Sequence, residues 1–330
     1  MKPVTVDTDV GTVRVGGTGT YFPVGRDGCD MSEPSENPLG EVMLDDVAPE
    51  AIDRDEVRAA LTSSRAHLRQ RGARACERLV EADVERVRPL VDDLGHALTA
   101  ENPGVVQSAA SALTAVAEAD VTAVADVVEQ AASLAEADLA GVQLAGAQVL
   151  AVVARERPEY CTSVVGGLVE SLGQPLPVTD DDSLAESVDD WETRQTIRQH
   201  EQEEREHATL ARQLYANVVV AVADAAPAAV TDHVAAVAEL TDHDDPVVCG
   251  AALDTLGAVG REHRSAVEPF TADIVACLDA DESVLRSRAI RALGYIDAED
   301  AVAALETTAE TDPNDDVAAF ADETAAFLRG

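Results

Sequence analysis

Along most of this chain the apolar residues return at i, i+3, i+4 and i+7, the spacing that lines one face of an α-helix. Ala110, Leu113 and Val116 form one such stripe, and Leu253, Leu256 and Val259 form another. The stripes themselves recur. Pro103–Val116 overlays on Gly141–Val153 at an offset of 37 residues, and Pro246–Val259 overlays on Ser283–Ile296 at the same offset. Units of this length are the mark of stacked helix pairs. They predict an all-α fold, a right-handed α-α solenoid of about six to seven helix pairs. The pairs fall at 105–118 with 121–137, 141–154 with 158–172, 208–225 with 228–241, 247–260 with 265–279, and 284–295 with 299–310. Upstream, Asp53 and Glu56 have the capping-box spacing that opens a helix, and further helices are expected near 69–81 and 84–98. Pro158 and Pro227 take equivalent places at the start of second helices, where no amide donor is needed. Gly257 and Gly294 align with each other, where a missing side chain lets helices cross closely.

Three stretches depart from this pattern. Residues 1–30 are β-prone, with Val4–Asp9 and Thr12–Val15 separated by Val10-Gly11, and predict a small N-terminal β-hairpin appendage. Met31 opens a segment that itself looks like a protein start, so an extension ahead of the natural start is an alternative for 1–30. Residues 31–52 are rich in proline and acid and read as a linker. Residues 173–206 interrupt the repeats, which otherwise fill 53–172 and 207–330. Gly173-Gln174-Pro175-Leu176-Pro177 and Asp180-Asp181-Asp182 are followed by a charged helical stretch running into the apolar helix at Ala208. The last residues, 316–330, predict a single closing helix of the kind terminal repeats need.

Composition sharpens the picture. Aromatic residues are only 3% of the chain, so alanine and valine supply the core, which suits closely approaching helices. The 330 residues hold 63 Asp+Glu against 24 Lys+Arg, a formal charge of −39, and Lys2 is the single lysine. The acids are spread over nearly every helix. Such a surface becomes tolerable at high ionic strength, where screening falls to a few ångströms, and the composition resembles that of haloarchaeal cytoplasmic proteins. In such a protein net charge does not exclude nucleic acid. The five cysteines (29, 76, 161, 249 and 277) are widely spaced, with no C-x-x-C and no metal-ligand spacing, so no cofactor or metal is expected. The expected setting is a reducing cytoplasm, since neither a leader nor an apolar run of membrane-spanning length is evident.

The units at Asp244-Asp245-Pro246-Val247-Val248…Ala251-Ala252-Leu253…Leu256-Gly257-Ala258-Val259 and Asp281-Glu282-Ser283-Val284-Leu285-Arg286…Ala289-Ile290-Arg291-Ala292-Leu293-Gly294-Tyr295-Ile296, the latter continued by Asp300-Ala301-Val302-Ala303-Ala304-Leu305, resemble HEAT-like repeats of the phycobilin-lyase type. The resemblance implies the solenoid architecture and protein–protein binding along its inner face, taken here to be built from the second helices. It carries no lyase residues onto this chain.

Two departures from regularity stand out as candidate sites. Val57–Cys76 contains no acid, and Arg54, Arg58, Arg65, Arg69, Arg71 and Arg74 lie in or beside it. On one continuous helix, Arg54, Arg58, Arg65 and Arg69 fall in a narrow sector. Such a stripe is placed to meet phosphates or an acidic partner; the competing reading is internal pairing, for instance with Asp92 and Asp93. The second is the interruption, where Trp191 stands beside Arg194 and Arg198. Trp and Arg are the usual anchors of protein interfaces, and burial of the Trp191 ring on the stack is the alternative. The expected function is a non-enzymatic scaffold or adaptor binding an unidentified protein partner. The alternatives are a nucleic-acid-associated repeat protein, which is less favoured, and a lyase-type repeat enzyme. If the carboxylate coat is an adaptation to salt, thermal stability rises steeply with KCl. Equal melting midpoints in dilute buffer and multimolar KCl rule that reading out.

Overall fold

The structure, a computed structural model, describes residues 39–40, 44, 47–175 and 190–330. The expected N-terminal hairpin lies outside the described residues. The helices in order are α1 (Arg54–Leu61), α2 (Ala66–Ala82), α3 (Val91–Leu98), α4 (Pro103–Ala119), α5 (Val128–Ser133), α6 (Ala140–Glu156), α7 (Val165–Leu172), α8 (Trp191–Ala225), α9 (Val234–Glu239), α10 (Pro246–Glu262), α11 (Arg264–Val267), α12 (Thr271–Ala276), α13 (Ser283–Tyr295), α14 (Val302–Thr311) and α15 (Asp315–Leu328). Among the described residues there is no strand.

The long helices α2, α4, α6, α8, α10, α13 and α15 are the first members of the units, and each packs directly against the next. The second members are broken. Val121–Val127, Pro158–Cys161 and Glu268–Phe270 are 3-10 turns that lead into α5, α7 and α12. Pro158 and Pro227 open such turns, as their missing amides allow. Second helices touch their neighbours far less than first helices do. The row with the closer packing is the shorter, inner one, so the first helices and not the second build the inner side.

Burial follows from this arrangement. α10 is buried from Val248 through Gly260 except at Asp254, because helices on both sides and its own second member enclose it. Small residues make the approach possible. A Cβ on Gly257 would stand 3.3 Å from the Ala292 Cα, and one on Gly146 would stand 2.5 Å from the Ala131 carbonyl oxygen. The core is one continuous cluster of alanine, valine and leucine running from Ile52 to Leu328.

The segment expected as a linker is docked at its C-terminal end. Ile52 is 4% exposed, and the Arg86 guanidinium donates to the Pro49 and Ile52 carbonyls at 2.7 Å each.

One position ties four of the units to the loop behind them. Arg69 donates to the Ser63 carbonyl, Gln143 to Ala137 and Arg286 to Ala280, six residues back in every case. Arg212 holds the same register and donates to the carbonyl of Gln174. Across the interruption, Gln174 therefore stands where the residue six before Arg212 stands in an unbroken unit.

Arginines also bridge successive units. Arg212 reaches Asp245 at 3.6 Å, Arg261 reaches Asp224 at 2.7 Å, Arg264 reaches Asp297 at 2.6 Å and Arg291 reaches Asp254 at 2.5 Å. The most enclosed bridge is Arg286–Asp312, two bonds of 2.7 and 2.9 Å with side chains 9% and 2% exposed. The Arg286 hydrogen bonds hold the Asp312 carboxyl below the usual carboxylate range. A carboxylate so lowered stabilises the fold above its unfolded pKa, and the contribution is lost as pH falls through the folded value. Arg286→Met should cost about 3 kcal/mol near neutral pH, because it leaves Asp312 enclosed without its partner. Adding Asp312→Asn should recover part of the loss, and the penalty of the single variant should shrink in acid. Denaturant titration at two pH values measures both; equal stability of Arg286→Met and wild type refutes the assignment.

Candidate partner-binding surface

The arginine-rich window is a corner and not a stripe. α1 ends at Leu61 and α2 begins at Ala66, with Arg65 as its N-cap residue. The break resets the helical phase, so Arg54 and Arg58 do not share one helix face with Arg69. This corrects the expectation of a continuous positive sector. Arg58 donates to Asp93 at 3.2 Å and to the Pro89 carbonyl at 2.7 Å, which bears out the internal-pairing alternative for that residue. Arg69 holds the Ser63 carbonyl at 2.9 Å, and Arg71 reaches the Leu39 carbonyl at 3.4 Å. Arg54, Arg65 and Arg74 are exposed.

The second candidate is a helical arm. α8 has 35 residues, about 52 Å at the helical rise, and its C-terminal part is the first helix of its unit. Asp190 caps its start by accepting from the Thr193 amide and hydroxyl at 2.9 and 2.7 Å, bonds that lower its carboxyl pKa. Trp191 stands at this tip and is 66% exposed, so its ring does not fold back onto the stack. Arg194 is half-buried and Arg198 exposed.

The base of the arm is fixed to α6. Tyr215 is buried and donates from its hydroxyl to the Gln143 carbonyl at 2.7 Å; burial pushes its phenol well above the ordinary value. Eleven residues earlier, the Glu204 carboxylate accepts from the Ala140 amide at 3.0 Å. Ala140 opens α6, whose N-cap residue, Leu139, supplies no side-chain bond. In α4, α10 and α15 an Asn or Asp fills that role from its own chain segment. Sequence reasoning missed Glu204; the one local sign was an apolar residue at the α6 N-cap. N-terminal to Glu204, the arm runs about 20 Å beyond the start of α6.

A cavity of about 350 Å³ lies at the interruption, lined in part by Gln143, Glu170, Ser171, Arg212 and Tyr215. Arg212 and Tyr215 are already engaged with Gln174 and Gln143, so these two groups do not await a ligand there. Among the described residues no three His, Cys, Asp or Glu side chains are grouped to hold a metal ion. Among them, too, no single helix is long and apolar enough to cross a membrane.

Beyond the segment leading into α3, which carries Arg86 and Arg88, charge separates the two rows. The second-member stretches 121–139, 158–175, 227–245, 265–282 and 297–314 carry acids and neither arginine nor lysine. The solvent strip of the first helices is mixed. It presents the amides Gln107, Gln148 and Asn217 as exposed side chains, together with Arg155, Arg261 and Arg291. Arg261 lies over the Tyr295 ring, 5.1 Å from its centroid, within cation–π range.

Residues 234–326 match the family model of HEAT repeats. No curated protein matches its sequence. Among solved structures, an engineered protein from the Northeast Structural Genomics Consortium aligns at 20% identity over 83% of this chain and 78% of its own, with a TM-score of 0.40. A second engineered protein from that consortium aligns at 18% over 84% and 96%, with a TM-score of 0.35. A designed armadillo repeat protein in complex with the peptide (KR)4 aligns at 15% over 76% and 99%, with a TM-score of 0.44.

Glu204→Ala should destabilise the protein by about 1 kcal/mol, the usual cost of losing a helix cap. Leu139→Asp in that background should restore the loss by supplying the acceptor locally. Denaturant unfolding in high salt tests the pair; a neutral Glu204→Ala shows that Glu204 does not cap α6.

Proposed function

We propose that the chain is a non-enzymatic protein-interaction scaffold and that its partner lies along the solvent strip of the first-helix row. The observation that carries this reading is the separation of charge between the rows. In a chain of charge −39, the second members from residue 121 onward carry carboxylates and neither arginine nor lysine, a surface that repels other acidic proteins and holds water. The first helices set amides and partnered arginines among fewer carboxylates. A face of that kind offers hydrogen bonds at low desolvation cost and without net repulsion. We take the carboxylate coat to serve solubility in a salt-rich cytoplasm. Nucleic acid is disfavoured as the partner because Arg58, Arg69 and Arg71 hold the α1–α2 corner together.

The test adds charge to one row and removes it from the other. Wild-type protein is used to capture and identify its partner in multimolar KCl. The variant Gln107→Glu/Ser111→Glu/Gln148→Glu should then lose that partner by tenfold or more in affinity. The variant Asp126→Asn/Glu129→Gln, on the second row, should keep it. The reverse pattern refutes the assignment of the face.

A further inference from the structure

Cys249 stands where neighbouring units place an arginine. It is one 37-residue unit from Arg212 and one from Arg286. Those two arginines each donate to a loop carbonyl behind them and reach an aspartate of the next unit, Asp245 or Asp312. Cys249 turns instead to a carbonyl eight residues back, with its Sγ 3.1 Å from the Thr241 oxygen. It has no guanidinium to reach an aspartate. Cys277, which ends the second member of the same unit, brings its Sγ to 3.5 Å from the same carbonyl oxygen. Both sulfurs therefore sit on one carbonyl oxygen, which brings the two thiols side by side. They are 4% and 8% exposed, whereas Cys76 and Cys161 are both at 0%.

We propose that Cys249 and Cys277 are an oxidation site at which a small hydroperoxide converts two thiols into an intrachain disulfide, joining α10 to the end of the segment that leads into α13. The neighbouring Cys277 thiol lowers Cys249, and the same neighbour together with burial raises Cys277. Cys249 is thus the thiol that ionises first, and its thiolate is the nucleophile. Its sulfur attacks a peroxide oxygen. The O–O bond breaks, the leaving hydroxide takes up a proton as water, and a sulfenic acid remains. The second sulfur then attacks the first, the S–O bond breaks, and hydroxide leaves with the second thiol's proton as another water. Two thiols lose two electrons, and one hydroperoxide is reduced. Burial raises Cys76 and pushes Cys161 up to about 12, so neither supplies a competing thiolate.

The experiment treats the full chain with hydrogen peroxide in the salt that keeps it folded. Remaining thiols are then alkylated in denaturant and the peptides mapped by mass. The expected product is a Cys249–Cys277 cross-linked peptide pair, about 2 Da below the sum of its reduced peptides and released by dithiothreitol. Cys76 and Cys161 should be recovered alkylated. Cys249→Ser should leave Cys277 alkylated, and Cys76→Ser should leave the link intact. The proposal is overturned if both peptides are recovered alkylated, if either thiol is found only as sulfinic or sulfonic acid, or if the link runs to Cys29 or any other cysteine. The wild-type map decides the matter even if a serine variant does not fold.

Discussion

The close side-by-side packing of the first helices is the constraint on which the rest of this structure depends. Each of these helices is covered by a neighbour on either side and by its own second member, so little more than one strip of its surface meets solvent. That geometry needs small side chains at the contacts. Gly257 against Ala292 and Gly146 against the Ala131 carbonyl show how little room there is. It also explains a core built from alanine and valine with few aromatics, since large rings would force the helices apart. A single unit cannot bury its faces alone, and stability grows only as neighbours are added.

The packing also decides where cations are found. Once the second members form an acidic outer layer, positive charge matters most at the junctions between units. There Arg212, Arg261, Arg264, Arg286 and Arg291 each reach an aspartate of an adjacent unit. Arginine suits the task because its planar fork satisfies a carboxylate and a backbone carbonyl together. Exposed bridges of this kind are weak and screened by salt. The enclosed Arg286–Asp312 bridge is less open to screening, and its removal leaves an unsatisfied charge in the stack.

Much of this fold was legible in the sequence because it is periodic. The 37-residue offset placed the first helices to within a few residues, and the charged run after 183 was read as a helix entering the one at Ala208, which is what α8 is from Trp191 onward. Gly257 was read as a close crossing and is one. What was not legible depends on contacts distant in the chain. The arginine stripe assumed one helix through Ser63, but α1 and α2 meet at a corner there, held by Arg58 on Asp93 and Arg69 on the Ser63 carbonyl. Which row faces inward also escaped the sequence, because both rows are amphipathic and only the spacing between neighbours separates them. Glu204 capping Ala140 spans 64 residues, a distance over which no local pattern speaks. The Cys249 register was present in the repeat, but its meaning needed the arginine contacts of the flanking units.

The interruption then takes on a definite mechanical character. Arg212 restores the unit register by bonding Gln174 as its counterparts bond residues six positions back. The stack therefore continues past the insertion without a shift in the order of its first helices. The insertion is anchored at its base, where Glu204 completes the α6 terminus and Tyr215 bonds Gln143. Its tip carries Trp191 in solvent. The arm is thus fixed at one end by a cap and a buried hydrogen bond and exposed at the other. Length and tip composition can vary there at small cost to the core, because the core's register is closed behind the point where the insertion departs.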